Sequence, residues 1–94
     1  MKIVQTLRFL EEFETILFFI AEDSLLAALN FQDAVESKLQ NLPRFPYKCR
    51  CSTKLNEENV RDLVFHGYVI PYRINTAMEQ IEILGIFSEN EWKV

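Results

Sequence analysis

The 94-residue sequence lacks any continuous apolar run near the ~20 residues that a membrane-spanning helix needs. Its most apolar stretch, residues 7–20, is broken by Glu11, Glu12 and Glu14, and no small-residue cleavage site follows. No targeting segment is therefore read, and a cytoplasmic protein is expected. Metal-ligating residues are scarce: Cys49, Cys51 and a single histidine, His66. One Cys-x-Cys pair with one histidine cannot close a four-ligand zinc site. Two reduced thiols and no metal or other cofactor are expected. Positive charge is in deficit, with 10 bases against 14 acids and a net charge of -4. That field opposes phosphate, so direct nucleic-acid binding by this chain alone is not expected.

What is present is apolar. Hydrophobic residues make up 49% of the chain and aromatics 13%, enough for a packed core and against global disorder. The length fits one domain over residues 1–94. Charge is unevenly placed. The excess acid lies in residues 1–42, whereas Arg44, Lys48, Arg50 and Lys54 form a local basic patch with no acid among them.

The residue order predicts an α+β fold. Residues 2–5, with Ile3 and Val4, suit a strand. Thr6 is placed to cap a helix. Phe9, Phe13, Ile16, Leu17 and Ile20 then recur at spacings of three and four, a helical stripe. Asp23 or Ser24 caps a second helix running to about Leu42, with Leu25, Ala28, Leu29, Val35, Leu39 and Leu42 as its expected buried side. The short connection makes an antiparallel hairpin, and Pro43 ends it. Residues 48–53 read as extended. Residues 60–65, 68–74 and 80–87 read as a three-stranded antiparallel meander, with a corner at His66-Gly67. The helix hairpin is expected to cover one face of the sheet.

Strand alternation puts Tyr68, Ile70, Tyr72 and Ile74 on one face and Val69, Pro71 and Arg73 on the other. The first set is expected against the helices and the second on a less buried side. A proline cannot donate to the ladder, so Pro71 implies either a local break or an open strand edge able to take a partner strand.

The stretches VRDLVF (60–65), GYVIPYRI (67–74), IEILGIF (81–87) and LPRFPY (42–47), together with the helix hairpin, resemble the RelE/ParE toxins of bacterial type II toxin–antitoxin modules, on the ParE side. The resemblance implies a small antiparallel sheet under two N-terminal helices and a cognate antitoxin that wraps the toxin with an otherwise disordered segment. RelE-type members cleave messenger RNA on the ribosome with basic and acid–base groups on the sheet face. Where that group has an arginine after the glycine-tyrosine pair, this chain has Val69. Where a basic residue and an aromatic hydroxyl are expected near the C-terminus, it has Glu89, Glu91 and Trp92. No catalytic residue is assigned. His66 reads as a turn residue and Arg73 as an ion-pair partner of Glu82.

A toxin acting by protein–protein inhibition is expected, with DNA gyrase as the target the resemblance implies, in a toxin–antitoxin hetero-oligomer. The alternatives are a RelE-like ribosome-dependent ribonuclease, or a toxin-like chain that has lost toxicity. Phe18, Phe19, Leu26 and Phe31 exceed what the helical stripes hold and point to a partner surface. The basic patch of Arg44, Lys48, Arg50 and Lys54 would receive antitoxin acids, and Pro71, Arg73 and Trp92 complete the candidate contact residues.

Overall fold

The computed structural model describes residues 1–52 and 54–89. Strand β1 (Lys2–Gln5) leads into helices α1 (Leu7–Asp23) and α2 (Leu25–Asn41). A single 3-10 turn (Leu42–Arg44) and a loop follow, then β2 (Arg50–Cys51), β3 (Val60–Phe65), β4 (Tyr68–Asn75), β5 (Gln80–Ile83) and β6 (Phe87–Ser88). The sheet order is β1-β5-β4-β3-β2, with β6 also on β4. The meander is antiparallel as expected, and β2 adds to it on β3. The first strand returns to the far edge and pairs parallel to β5, Ile3 beside Ile81.

Two hydroxyl residues set the helix boundaries. The Thr6 hydroxyl accepts from the Phe9 amide at 3.3 Å and donates to the Ile83 carbonyl at 2.6 Å, which ties the start of α1 to the end of β5. Ser24, the only residue between the helices, serves both. Its amide donates to the Ile20 carbonyl and its hydroxyl accepts from the Ala27 amide, both at 3.1 Å. The connection is thus a single residue. Such caps typically contribute ~1 kcal/mol each.

The core lies between the hairpin and one sheet face. Phe9, Phe13, Val35, Leu39 and Leu42 meet Ile70, Tyr72, Ile74, Ile81, Ile83 and Ile86, and Phe31 packs at the margin against Phe13, Phe65 and Tyr68. Within residues 18–30 only Ala28 is buried, and it lies outside the main cluster. The distal part of the hairpin therefore adds little to the packing on the sheet. This corrects the expected stripe of α2: Leu25 and Leu29 are exposed, and only Ala28 is buried near that end.

Two further expectations change around Pro71. It sits in the central strand β4, flanked by β3 and by the β5–β6 side, so its edge is not open. The break is local. Residues 84–86 stand opposite Ile70 and Pro71, three residues against two, because the register slips by one between the Tyr72–Ile83 and Val69–Phe87 pairs. This bulge also splits the expected 80–87 strand into β5 and β6. In a ladder, the N–H and C=O of one residue point to the same side. The Pro71 carbonyl accepts from the Leu84 amide at 2.9 Å, so the donor that proline lacks faces the bulge, where regular pairing has already stopped. The second face is also less open than expected: Val60, Asp62, Val69 and Pro71 are buried there.

Candidate partner-binding surfaces

Three surfaces collect the residues singled out from the sequence. The first is the hairpin tip. Phe18, Phe19, Leu25 and Leu26 are 66%, 68%, 66% and 68% exposed. Leu29 continues the surface on α2, and Leu10 and Leu7 extend exposed apolar area along α1. Glu22 and Asp23 are exposed beside the tip. Of the four residues counted as surplus, Phe18, Phe19 and Leu26 face solvent, whereas Phe31 is absorbed at the core margin. Leu25 belongs to the tip although its spacing placed it on the buried stripe.

The second surface is the sheet face away from the helices. Arg73 lies between Glu57, at 3.3 Å, and Glu82, at 3.6 Å. The Glu82 carboxylate also accepts from the amides of Asn75 at 3.1 Å and Gln80 at 2.7 Å. These hydrogen bonds, Asn75 first, and then the Arg73 charge hold its carboxyl below the usual value of 4.5. Val69, at the position where a RelE-type arginine is expected, is buried on this face opposite Phe87. Asp62 is buried beside Pro71 with its carboxylate 3.7 Å from Arg50.

A cavity of about 290 Å³ opens between Pro71, Asp62 and Ser52 and the bulge at Leu84 and Gly85. Its wall includes a feature the linear sequence does not display. The Glu12 carboxylate, paired with Arg8 one turn earlier, reaches the bulge and accepts from the Ile86 amide at 3.1 Å. A side chain on residue 85 would place its Cβ 2.5 Å from Glu12 Oε1, so the Glu12 carboxylate reaches the Ile86 amide because residue 85 is a glycine.

The third surface is the expected basic patch, which the fold divides. Arg50 and Lys54 lie with Asp62 and Pro71 on the sheet face away from the helices. Arg44 and Lys48 lie on the other side, at the base of α2, where Lys38 joins them around an open groove. The connector beside this groove is held by two side chains of neighbouring strands. The Tyr72 hydroxyl donates to the Pro46 carbonyl at 2.6 Å, and Arg61 Nη1 donates to the carbonyls of Cys49 at 3.2 Å and Tyr47 at 3.4 Å. Burial, with the Cys49 side chain beside it, pushes the Tyr72 hydroxyl far above its ordinary value, so it remains a neutral donor.

His66 is exposed at the β3–β4 turn, with φ of 51° there and 81° at Gly67. Positive φ at both central residues is what a two-residue type I′ hairpin requires. The corner is therefore a defined turn and not a loose one. Its imidazole packs edge-on against Phe65, and no second candidate acid–base group lies with it in the described contacts. Cys49 and Cys51 are free thiols, and among the described residues no group of three or more His, Cys, Asp or Glu could hold a metal. Trp92 lies outside the described residues. No helix among them is long and apolar enough to cross a membrane.

A helix hairpin laid on one face of an antiparallel-dominated sheet, with its apolar tip exposed, defines a small α+β protein. The profile of one family, the ParE toxin of type II toxin-antitoxin system, parDE, matches residues 3–91, and the chain belongs to that family. Among solved structures it is similar to a chain of the chromosomal ParDE TA system from P. aeruginosa. That similarity has a TM-score of 0.74 and 16% identity, over 94% of this chain and 95% of that one. No curated protein matches the chain in sequence.

Proposed function

We propose that this chain is the toxin of a ParDE-type pair, neutralised in a hetero-oligomer by an antitoxin segment that lies along the outside of the hairpin and covers its tip. The observation that carries this reading is the tip itself. Two phenylalanines and two leucines on either side of the hairpin turn, each about two-thirds exposed, are left uncovered by the described residues. Membership of the ParE family supports the nature of the partner. The toxin acts in the cytoplasm by protein–protein contact, as a single toxin domain over residues 1–94, with DNA gyrase as the target the family resemblance implies. The paired state of Arg73 and the burial of Val69 weigh against a RelE-like ribonuclease, because neither position offers a free cation for a phosphorane.

The test is titration with the product of the adjacent reading frame. Folding of a disordered segment onto the hairpin buries apolar surface, so calorimetry should give a large negative heat-capacity change. The melting temperature should rise by mass action, equivalent to about 2.7 kcal/mol at a hundredfold excess over Kd. Micromolar or weaker binding with a heat-capacity change near zero would overturn the wrapping. A supercoiling assay with purified gyrase and a messenger-cleavage assay on translating ribosomes then separate the two modes of action.

A further inference from the structure

At the base of the hairpin, the end of α2, the 3-10 turn and the following loop enclose an open groove of about 470 Å³. Lys38, Arg44 and Lys48 line it, with Leu42, Phe45 and Leu63 as its apolar wall. Among the described residues no acidic side chain lines the groove. Among the described residues no ion pair engages any of the three cations, in contrast to Arg8, Arg50 and Arg73. Lys38 instead lies 5.6 Å from the Phe65 ring centre. Phe45 is 69% exposed at the rim. In a chain of net charge -4, this is a concentrated positive site next to uncovered apolar surface.

We propose that this groove receives an acidic and apolar stretch of the partner polypeptide. Its carboxylates stand opposite Lys38, Arg44 and Lys48, and an apolar side chain rests against Leu42, Phe45 and Leu63. The inference rests on the reading that a partner chain runs along the hairpin, and it specifies the chemistry and direction of that chain. Tip and base are separated by the length of α2, about 25 Å, which about eight extended residues or one helix of similar length can span. The tip carries Glu22 and Asp23, whereas the base carries three cations. A segment with its acids at one end therefore binds in one orientation only, since the reverse sets like charges against each other. A nucleic acid is disfavoured as occupant, because a polyanion longer than the groove extends onto the rest of a chain whose net charge is -4.

Two measurements test this. In the first, the adjacent-frame product is titrated into wild type, into Arg44→Glu/Lys48→Glu, and into Lys2→Glu as a charge control on the far edge. The double variant should bind at least about tenfold more weakly at low salt and show a shallower salt dependence, with Lys2→Glu within about twofold of wild type. All three cations are on the surface, so folding should be retained, and Arg44→Gln/Lys48→Gln provides a milder variant whose effect should be smaller in the same direction. Unchanged affinity in the double variant overturns the groove assignment while leaving the toxin–antitoxin reading intact. If no neighbouring product binds the wild type, that reading fails, and the second measurement decides the groove. A twelve-residue peptide of glutamate and leucine is titrated and followed by amide chemical shifts, beside a lysine–leucine peptide of equal length. Saturable shifts at residues 38, 44, 45, 47–49 and 63 with the acidic peptide only support the site. Absence of those shifts, an equal response to both peptides, or the same response to single-stranded oligonucleotide overturns it.

Discussion

Gly85 and Glu12 show how one residue pair decides a strand's geometry. The bulge frees the Ile86 amide from the ladder, and Glu12 supplies the missing acceptor from α1 because residue 85 has no side chain in the way. A Cβ at 85 would push the flexible end of Glu12 aside, which is sterically cheap but breaks the hydrogen bond it makes. Gly85→Ala and Glu12→Ala should each destabilise by about 1–2 kcal/mol, the cost of a partly buried donor without its acceptor. In the Glu12→Ala background, Gly85→Ala should become neutral or slightly stabilising. Nothing then opposes the methyl group, and alanine restricts the unfolded chain more than glycine does. Denaturant unfolding of the three variants gives the cycle, and simple additivity would refute the coupling.

Among the elements, the hairpin combines two roles along its length. Its proximal part is a core element through Phe9, Phe13, Val35 and Leu39; its distal part carries apolar residues that the sheet does not bury. Phe18→Ser/Phe19→Ser should therefore change stability by no more than about 0.5 kcal/mol, as for other exposed sites. The same change should weaken partner binding by at least about tenfold, because exposed aromatic side chains are the usual anchors of an interface. Thermal melts and calorimetry on one preparation check both halves. A loss of stability above ~1 kcal/mol would mean that the tip is packed and not a docking surface.

On the scale of the whole molecule, acid acts in two directions. Fourteen acids against ten bases give net repulsion at neutral pH, which mild acidification relieves. Glu82 contributes with the opposite sign. Its carboxyl is held low in the folded state by Asn75, Gln80 and Arg73, so the unfolded chain takes up the proton first. Its stabilisation is complete above about pH 4.5 and is lost as the pH falls through the folded value. As the pH falls below about 4.5, stability of the wild type should thus decline more steeply than that of Glu82→Gln. Parallel profiles in chemical denaturation would show that this network adds nothing to acid stability.

The order of elements, the capped hairpin and the antiparallel meander were legible in the sequence because they rest on local signals: Thr6 and Ser24 as caps, three-and-four spacing in the helices, alternation in β4. The family was legible for the same reason, as a combination of short stretches in a fixed order. What alternation and spacing cannot report is what lies across from a residue. Leu25 and Leu29 have the spacing of a buried stripe, but burial depends on how far the sheet extends beneath them. Pro71 signalled a broken ladder, yet its place in the central strand depends on β5 and β6 pairing beside it with one residue in excess. The basic patch is contiguous from Arg44 to Lys54 in the chain. Only the return of β2 onto β3 sends Arg50 to Asp62 on one face and leaves Arg44 and Lys48 with Lys38 on the other. Periodicity assigns a residue to a side of its own element; the length and pairing of neighbouring elements decide whether that side meets protein or solvent.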